Sequence, residues 1–139
     1  MTGVQTCALP ISDIVLPGDG DAKLLTGLEQ PDAIVDFYLK LGAKVVALTL
    51  GHEGSLVATP DKRQRFVPIK VDAIDATGAG DCYDGAFLAE YIRTGDAFAA
   101  GAYANVAAAL STQGYGAVAP LPRRADVEAR IAQEAARRT

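Results

Sequence analysis

Hydrophobic and polar positions follow two spacings along this chain. Short, strongly apolar runs such as "KVVALTL" predict buried strands, and apolar residues at i, i+3 and i+4 predict helices with one buried face. The predicted elements are a strand at 13–17, a short helix ending at Gly27, a helix over 30–43, a strand at 44–51 expected in the middle of a parallel sheet, an antiparallel excursion over 55–59 and 64–71, and helices over 80–93, 95–114 and 125–138.

The spacing also predicts which helix faces are buried. The alanine-rich helix over 95–114 is expected to be buried, because small side chains allow close packing. Tyr83, Phe87 and Tyr91 share one face, which favours a core position over a platform for a sugar ring. The last helix is expected to carry Val127 and Ile131 inward.

The order of the elements is strand, helix, strand, hairpin, helix, helix, helix. This order fits one part of an α/β sheet protein with crossover helices, but it has too few strands for a complete doubly wound domain. A length of 139 residues suits one modest domain.

Composition narrows the class of partner. The net charge is −4, and basic residues cluster only in "PRR" and the final "ARR", so we expect no nucleic-acid partner. No apolar run approaches the ~18 residues of a membrane span, so we expect no membrane partner. The two cysteines, Cys7 and Cys82, suggest neither a disulfide framework nor a zinc site, and a reducing, cytoplasmic setting follows.

The first twelve residues, "MTGVQTCALPIS", show neither helical nor strand periodicity. The string resembles translated sequencing-adapter sequence, so residues 1–12 are interpreted as a non-native lead-in and 13–139 as the domain proper. A short native lead-in is the alternative.

The stretch "DATGAGDCYDGAF", residues 75–87, carries the clearest chemistry. Gly78, Ala79 and Gly80 have little side-chain bulk, so their backbone N–H groups can approach a ligand closely. At the start of a helix these groups are unpaired and lie at the positive end of the helix dipole, which makes an anion site. Asp81, in the first turn, could orient and deprotonate an attacking hydroxyl while the N–H groups stabilise a phosphoryl group.

Two other nucleotide motifs do not fit this stretch. No lysine follows the glycines, as a P-loop requires, and Tyr83 stands where the dinucleotide motif needs its third glycine. A structural alternative is that the glycines form a tight turn and Asp81 merely caps the helix.

The stretch closely resembles the D-T-x-G-A-G-D signature of the ribokinase-like (PfkB) carbohydrate kinases. From Asp13 onward, "DIVLP", "TLGHEG" and "YANVAAALSTQGYGAVAPLP" match the C-terminal half of that family. The last of these and "DCYDGAFLA" look most like sugar kinases of the 2-keto-3-deoxygluconate kinase kind. The resemblance implies a partial ribokinase-like fold, the C-terminal part of a three-layer α/β/α sandwich without the N-terminal half and β lid.

The resemblance also implies residue roles in ATP-dependent phosphorylation of a sugar or sugar-acid hydroxyl. Asp81 would be the base, and Gly78, Ala79 and Gly80 the anion hole for the γ-phosphoryl group. The nucleotide would contact Thr49, Leu50, Gly51, His52, Glu53, Gly54, Gly80 and Asn105. A potassium-type cation would lie near Asp75, Thr77, Ser111, Gly114 and Gly116. Mg²⁺ would arrive with ATP.

The chain departs from the family pattern at three positions. Gly18 and Asp21 replace the usual Asn-x-x-Glu pair, which puts metal handling and phosphate response in question, and Ala76 replaces a threonine. The family's N-terminal half, with its sugar site and dimer-forming lid, is not recognisable. A fragment or nucleotide-binding module without turnover is therefore a second hypothesis, and a nucleoside kinase of the same family is a third.

Three further residues have open alternatives. His52 is either a nucleotide contact or a solvated turn residue. Cys82 is either a thiolate favoured by the helix start or a packed, inert side chain. Asp84 lies either near the sugar pocket or in solvent.

Overall fold

The computed structural model describes residues 11–139. The chain divides into two compact units, Met1–Phe66 and Val67–Thr139, and each is described by itself. The predicted lead-in, apart from Ile11 and Ser12, lies outside the described residues, as does Cys7.

Over its described residues, 11–66, the first unit contains four strands and two helices. In chain order they are β1 (Ile14–Val15), α1 (Asp19–Thr26), α2 (Pro31–Lys40), β2 (Val45–Thr49), β3 (Ser55–Ala58) and β4 (Arg63–Phe66). Helix α1 is the short helix predicted to end at Gly27, and Gly27 is its C-cap residue. Gly18 is its extended N-cap residue, and Asp19 and Asp21 place negative charge in its first turn, where the helix dipole favours it.

The strands form one sheet in the order β1-β2-β3-β4. The prediction of a parallel sheet around β2 is only half right, because β2 is parallel to β1 and antiparallel to β3. The reason is a tight turn directly after β2, which contains Gly51 at φ 58° and Gly54 at φ 91°. After this turn β3 runs back beside β2, and β4 pairs with β3 in the predicted antiparallel hairpin.

The core of this unit lies between the sheet and its helices. Ile34 and Val35 of α2 are fully buried, and they belong to one apolar cluster with Val46, Leu48 and Leu56 of the strands. Removing these side chains from water is the main stabilising term for such a layer.

The second unit is helical, with α3 (Ala79–Thr94), α4 (Ala97–Ser111) and α5 (Arg124–Arg137). These bounds agree closely with the predicted helices. The predicted burial of the alanine-rich helix is confirmed, since most of α4 from Ala97 to Ala107 is buried. Tyr83 and Phe87 are core residues, and their rings stack with centroids 6.1 Å apart.

One packing prediction for the second unit is wrong. Val127 is buried as expected, but Ile131, one turn later, is 37% exposed. Val127 is the only buried residue of α5, so the apolar contact ends within its first turns. Beyond that point a polar contact holds the helix, in which the Arg130 guanidinium donates to the Lys70 carbonyl at 2.6 Å.

Among residues 11–139, none of the helices is both long enough and apolar enough to cross a bilayer. The mixed sheet with its helices in the first unit, and the helices of the second unit, belong to the α/β class that the sequence predicted.

Candidate active site

Helix α3 begins without a capping side chain. Its N-cap residue is Gly78, in the left-handed conformation at φ 75°. The amide of Ala79 donates to the Ala76 carbonyl at 3.1 Å, and that of Cys82 donates to Gly78 at 2.9 Å. Within the described part of the chain, no backbone carbonyl accepts from the amides of Gly80 and Asp81. Two donors are thus left at the positive end of the helix.

The space around these donors is open. Gly80 is exposed, and a Cβ built on it would meet no atom within 4 Å. Asp81 is also exposed, in the first turn of the helix. Open amides beside a carboxylate are therefore present, but they are those of Gly80 and Asp81. Of the predicted set Gly78, Ala79 and Gly80, the Ala79 amide is already bonded to the Ala76 carbonyl. An anion could approach the open amides from solvent.

Three of the five residues predicted to bind a cation, Asp75, Thr77 and Gly116, are joined by hydrogen bonds, whereas Ser111 and Gly114 are not part of this set. Asp75 accepts from the Thr77 hydroxyl at 2.6 Å, the Thr77 amide at 2.9 Å and the Gly116 amide at 2.8 Å. The Thr77 hydroxyl, followed by the Gly116 and Thr77 amides, lowers the pKa of Asp75 to about 2. The structure thus brings Asp75, Thr77 and Gly116 together around an ionised carboxylate.

This arrangement limits how a cation could bind. A carboxylate offers about four acceptor positions, and three at Asp75 are in use. Asp75 can therefore contribute at most one oxygen, and backbone carbonyls would supply the rest, which suits a hard cation. The Ser111 hydroxyl donates to the Ala108 carbonyl at 2.8 Å. Gly114 packs against Pro120, since a Cβ built on Gly114 would lie 2.9 Å from the Pro120 Cβ.

In the first unit, the predicted nucleotide loop follows β2 at the carboxyl end of the strand. Gly51–Glu53 forms a 3₁₀ turn whose residues, including His52, are exposed. The Leu50 amide donates to the Gly54 carbonyl at 2.8 Å, and both residues are buried. Gly51, His52 and Glu53 are therefore the part of the loop that a ligand can reach, and Thr49 is half-buried at its start.

Of the two residues that replace the usual Asn-x-x-Glu pair, Gly18 lies beside this loop. Gly18 forms a parallel bridge with Thr49. A Cβ at Gly18 would lie 3.7 Å from the Thr49 hydroxyl, which is ordinary contact, so the site has room for a side chain. Asp21 is exposed in the first turn of α1. Among the described residues, no group of three or more metal-ligating side chains is present.

Three other candidates lie in the second unit. Asn105 is 8% exposed, and its amide nitrogen donates to the Val67 carbonyl at 2.8 Å. Burial raises the pKa of Cys82, against a smaller opposing effect of the Ser111 hydroxyl, which agrees with the packed alternative. Burial and the neighbouring charge of Asp81 raise the pKa of Asp84 to about 6, so Asp84 is not a fully solvated acid.

A charged cluster at the C-terminal end of α3 was not predicted from the sequence. Glu90 is 5% exposed, and its carboxylate binds Arg93 at 2.6 Å and Arg124 at 2.9 Å. Hydrogen bonds from Arg93 and then Arg124 outweigh burial and lower the pKa of Glu90 to about 2. The Arg124 guanidinium also lies 4.9 Å from the centre of the Tyr103 ring. The i, i+3 spacing of Glu90 and Arg93 was visible in the sequence, but the distant partner Arg124 was not.

Comparison with known proteins agrees with this geometry. Residues 2–124 match the model of the pfkB family carbohydrate kinases. The chain is 35% identical over 120 residues to ribokinase from Staphylococcus aureus, covering 82% of this chain and 40% of that protein. It is 40% identical over 72 residues to 2-dehydro-3-deoxygluconokinase from Bacillus subtilis, covering 51% of this chain and 22% of that protein.

Solved structures give the same result. Ribokinase from Thermotoga maritima superimposes with a TM-score of 0.86 and 28% identity, covering 94% of this chain and 46% of that one. A putative ribokinase II from E. coli, in complex with ATP and Mg²⁺, superimposes with a TM-score of 0.85 and 29% identity, covering 93% of this chain and 42% of that one. A fructokinase double mutant from Vibrio cholerae, bound to fructose, ADP and potassium ion, superimposes with a TM-score of 0.78 and 30% identity. The match covers 88% of this chain and 42% of that one.

The family match covers most of the chain, and the open helix start carries the family's signature. The chain therefore belongs to the pfkB family of carbohydrate kinases. It has the ribokinase-like α/β fold in part, and it spans less than half the length of the relatives it matches.

Proposed function

We propose that this chain forms the nucleotide-binding and phosphoryl-transferring part of an ATP-dependent carbohydrate kinase. The observation that carries the proposal is the start of α3, where the unpaired amides of Gly80 and Asp81 lie beside the exposed Asp81 carboxylate. Open donors at a helix N-terminus bind phosphate, and an adjacent carboxylate can accept a hydroxyl proton.

The proposed reaction is an in-line transfer. The acceptor hydroxyl oxygen forms a bond to the γ-phosphorus of ATP while the bond from that phosphorus to the β,γ-bridging oxygen breaks. The hydroxyl proton goes to Asp81, and ADP leaves with the electron pair of the broken bond. The open amides of Gly80 and Asp81 at the start of α3 stabilise charge on the transferring group.

The remaining roles extend the family resemblance. The exposed loop Gly51–Glu53 would contact the nucleotide. Mg²⁺, when bound with ATP, would neutralise phosphate charge, and a potassium-type cation would be held near Asp75 and Gly116. The neighbours crystallised with ATP and Mg²⁺ and with potassium ion support these assignments.

The proposed acceptor is a sugar or sugar acid. The names of the relatives, a ribokinase and a 2-dehydro-3-deoxygluconokinase, support that class. We place the complete enzyme in the cytoplasm, where ATP is available, and expect its lid to form a homodimer.

A second candidate is a nucleotide-binding module without turnover. It is favoured by the coverage of relatives, since the chain matches only 40% of the Staphylococcus aureus ribokinase. Steady-state phosphorylation of ribose, fructose, 2-keto-3-deoxygluconate and adenosine by purified 1–139 separates the two candidates. Formation of any sugar phosphate that depends on ATP excludes the module, and a rate confined to adenosine indicates the nucleoside kinase alternative.

The catalytic assignment is tested by Asp81→Asn. The amide cannot take the hydroxyl proton, so turnover should fall at least about 10²-fold with ATP affinity nearly unchanged. Asp72→Asn is the control, because Asp72 is an exposed acid of the same unit outside the site. Near-normal turnover of Asp81→Asn would refute the role of Asp81 as the base.

A further inference from the structure

Asp75 joins two segments of the second unit that are distant in the chain. One carboxylate oxygen accepts from the amide and hydroxyl of Thr77, and the other accepts from the amide of Gly116 at 2.8 Å. The first pair of bonds shapes the turn that leads into α3. The third bond spans 41 residues to the loop that follows α4.

A second connection joins the same segments. The amides of Ile74 and Asp75 both donate to the Thr112 carbonyl, at 2.7 and 3.0 Å. Backbone and side chain of Asp75 therefore hold the loop at two points, Thr112 and Gly116.

A third contact reaches the start of α3. A Cβ built on Gly78 would lie 2.6 Å from the Cβ of Ala117, so Ala117 packs directly on the Gly78 backbone. Gly78 is held at φ 75°, and its carbonyl accepts from the Cys82 amide to begin the helix. The loop that Asp75 holds thus contacts the residue that sets the direction of the open amides.

We infer that Asp75 is a positioning residue, whose carboxylate holds Gly116 and Ala117 against Gly78 and so fixes the start of α3. This role differs from the cation-ligand role that the resemblance implies, because it acts through the hydrogen bonds of the Asp75 carboxylate to Thr77 and Gly116. The inference rests on the proposed function in one respect, that the open amides bind phosphate. The test below measures amide exchange at the start of α3 without ATP.

The test is amide hydrogen exchange on the full 139-residue chain in buffer with tetramethylammonium as the only cation. Asp75→Asn keeps a single side-chain acceptor oxygen, and with that oxygen on Thr77 the NH₂ group that faces Gly116 cannot accept from its amide. The amides of Ala79 and Cys82 are read, because neither is bonded to Asp75. Their exchange should accelerate at least about tenfold, the scale of a lost hydrogen bond to a charged group.

Three comparisons make the test decisive. Ala117→Gly keeps every Asp75 hydrogen bond and removes the contact on Gly78, so it should accelerate exchange at the same two amides. Asp72→Asn removes an equal charge and should leave both amides unchanged. Amides at the centre of α4, such as that of Ala104, should keep wild-type protection in all variants, which separates local release from unfolding.

Wild-type protection of Ala79 and Cys82 in Asp75→Asn would overturn the inference, as would a change that appears only when potassium is added. The second result would make Asp75 a cation ligand alone. Neither result bears on whether the chain binds ATP, so the proposed function stands or falls separately.

Discussion

The N-termini of α3 and α4 follow opposite designs. At α4, the Asp96 side chain accepts from the amides of Phe98 at 2.8 Å and Ala99 at 3.1 Å. At α3, the N-cap is Gly78, with no side-chain bond, and the nearest upstream carboxylate, Asp75, is bonded instead to Thr77 and Gly116.

The difference shows where the molecule leaves donors open. A capping side chain stabilises a helix by about 1 kcal/mol, and α4 has this contribution while α3 lacks it. At α3 the chain instead has a positive-φ glycine and a tightly hydrogen-bonded turn. These features fix the backbone conformation and leave the helix's first amides without a side-chain acceptor. Such a start is suited to an external anion.

The largest effect is expected at the α3 start itself. Gly78→Ala forces a side chain into the left-handed region and onto Ala117, so the free energy of unfolding should fall by roughly 2–4 kcal/mol in urea titration. Gly95→Ala is the matched control, since Gly95 has φ 69° but open space around its Cβ position. An equal loss in both variants would show that the Ala117 contact contributes nothing.

The C-terminal end of α3 differs from its open start, because there charged side chains are hydrogen-bonded to one another. Glu90→Gln weakens the bonds to Arg93 and Arg124, so the free energy of unfolding at pH 7 should fall by about 1.5–3 kcal/mol. Glu128→Gln, at an exposed carboxylate 3.4 Å from the same Arg124, should change it by less than about 0.5 kcal/mol.

The same cluster gives a pH dependence. Because the pKa of Glu90 is lowered from 4.5 to about 2, its contribution is complete above pH 4.5 and is lost as the pH falls toward 2. Wild type and Glu90→Gln should therefore converge in stability over that range. A constant difference between them down to pH 2 would contradict the ionised, bonded carboxylate.

The smallest effect is expected at α4. Asp96→Ala leaves two amides without their side-chain acceptor and should lower the free energy of unfolding by about 1 kcal/mol. Asp61→Ala, in an exposed turn, should change it by less than about 0.5 kcal/mol. If the two variants are equally stable, the cap at Asp96 contributes nothing and the contrast with α3 loses its energetic basis.

Local patterns explain what the sequence could predict. Apolar runs and turn residues located β2, α3 and α4, because burial and backbone preference act over a few neighbouring residues. The signature around Gly78–Asp81 identified the open helix start for the same reason.

The features that the sequence could not predict depend on long-range contacts. The antiparallel neighbour of β2 depends on how tightly the chain turns after Thr49. The exposure of Ile131 depends on where α5 leaves its neighbours. The bond from Asp75 to Gly116 and the contact of Ala117 on Gly78 join segments that no local pattern relates.

The central claim is that the open amides of α3 bind the terminal phosphate of a nucleotide. The most direct measurement is the affinity of the 139-residue chain for ATP with Mg²⁺, compared between Gly80→Val and Gly85→Val. Both glycines lie in α3 with open space at the Cβ position, so the protein should tolerate either side chain equally. If the open amides bind the phosphate, Gly80→Val should lose at least about tenfold in affinity for ATP, and Gly85→Val should keep wild-type affinity. Wild-type affinity in Gly80→Val, or no ATP binding by the unaltered chain, would contradict the claim.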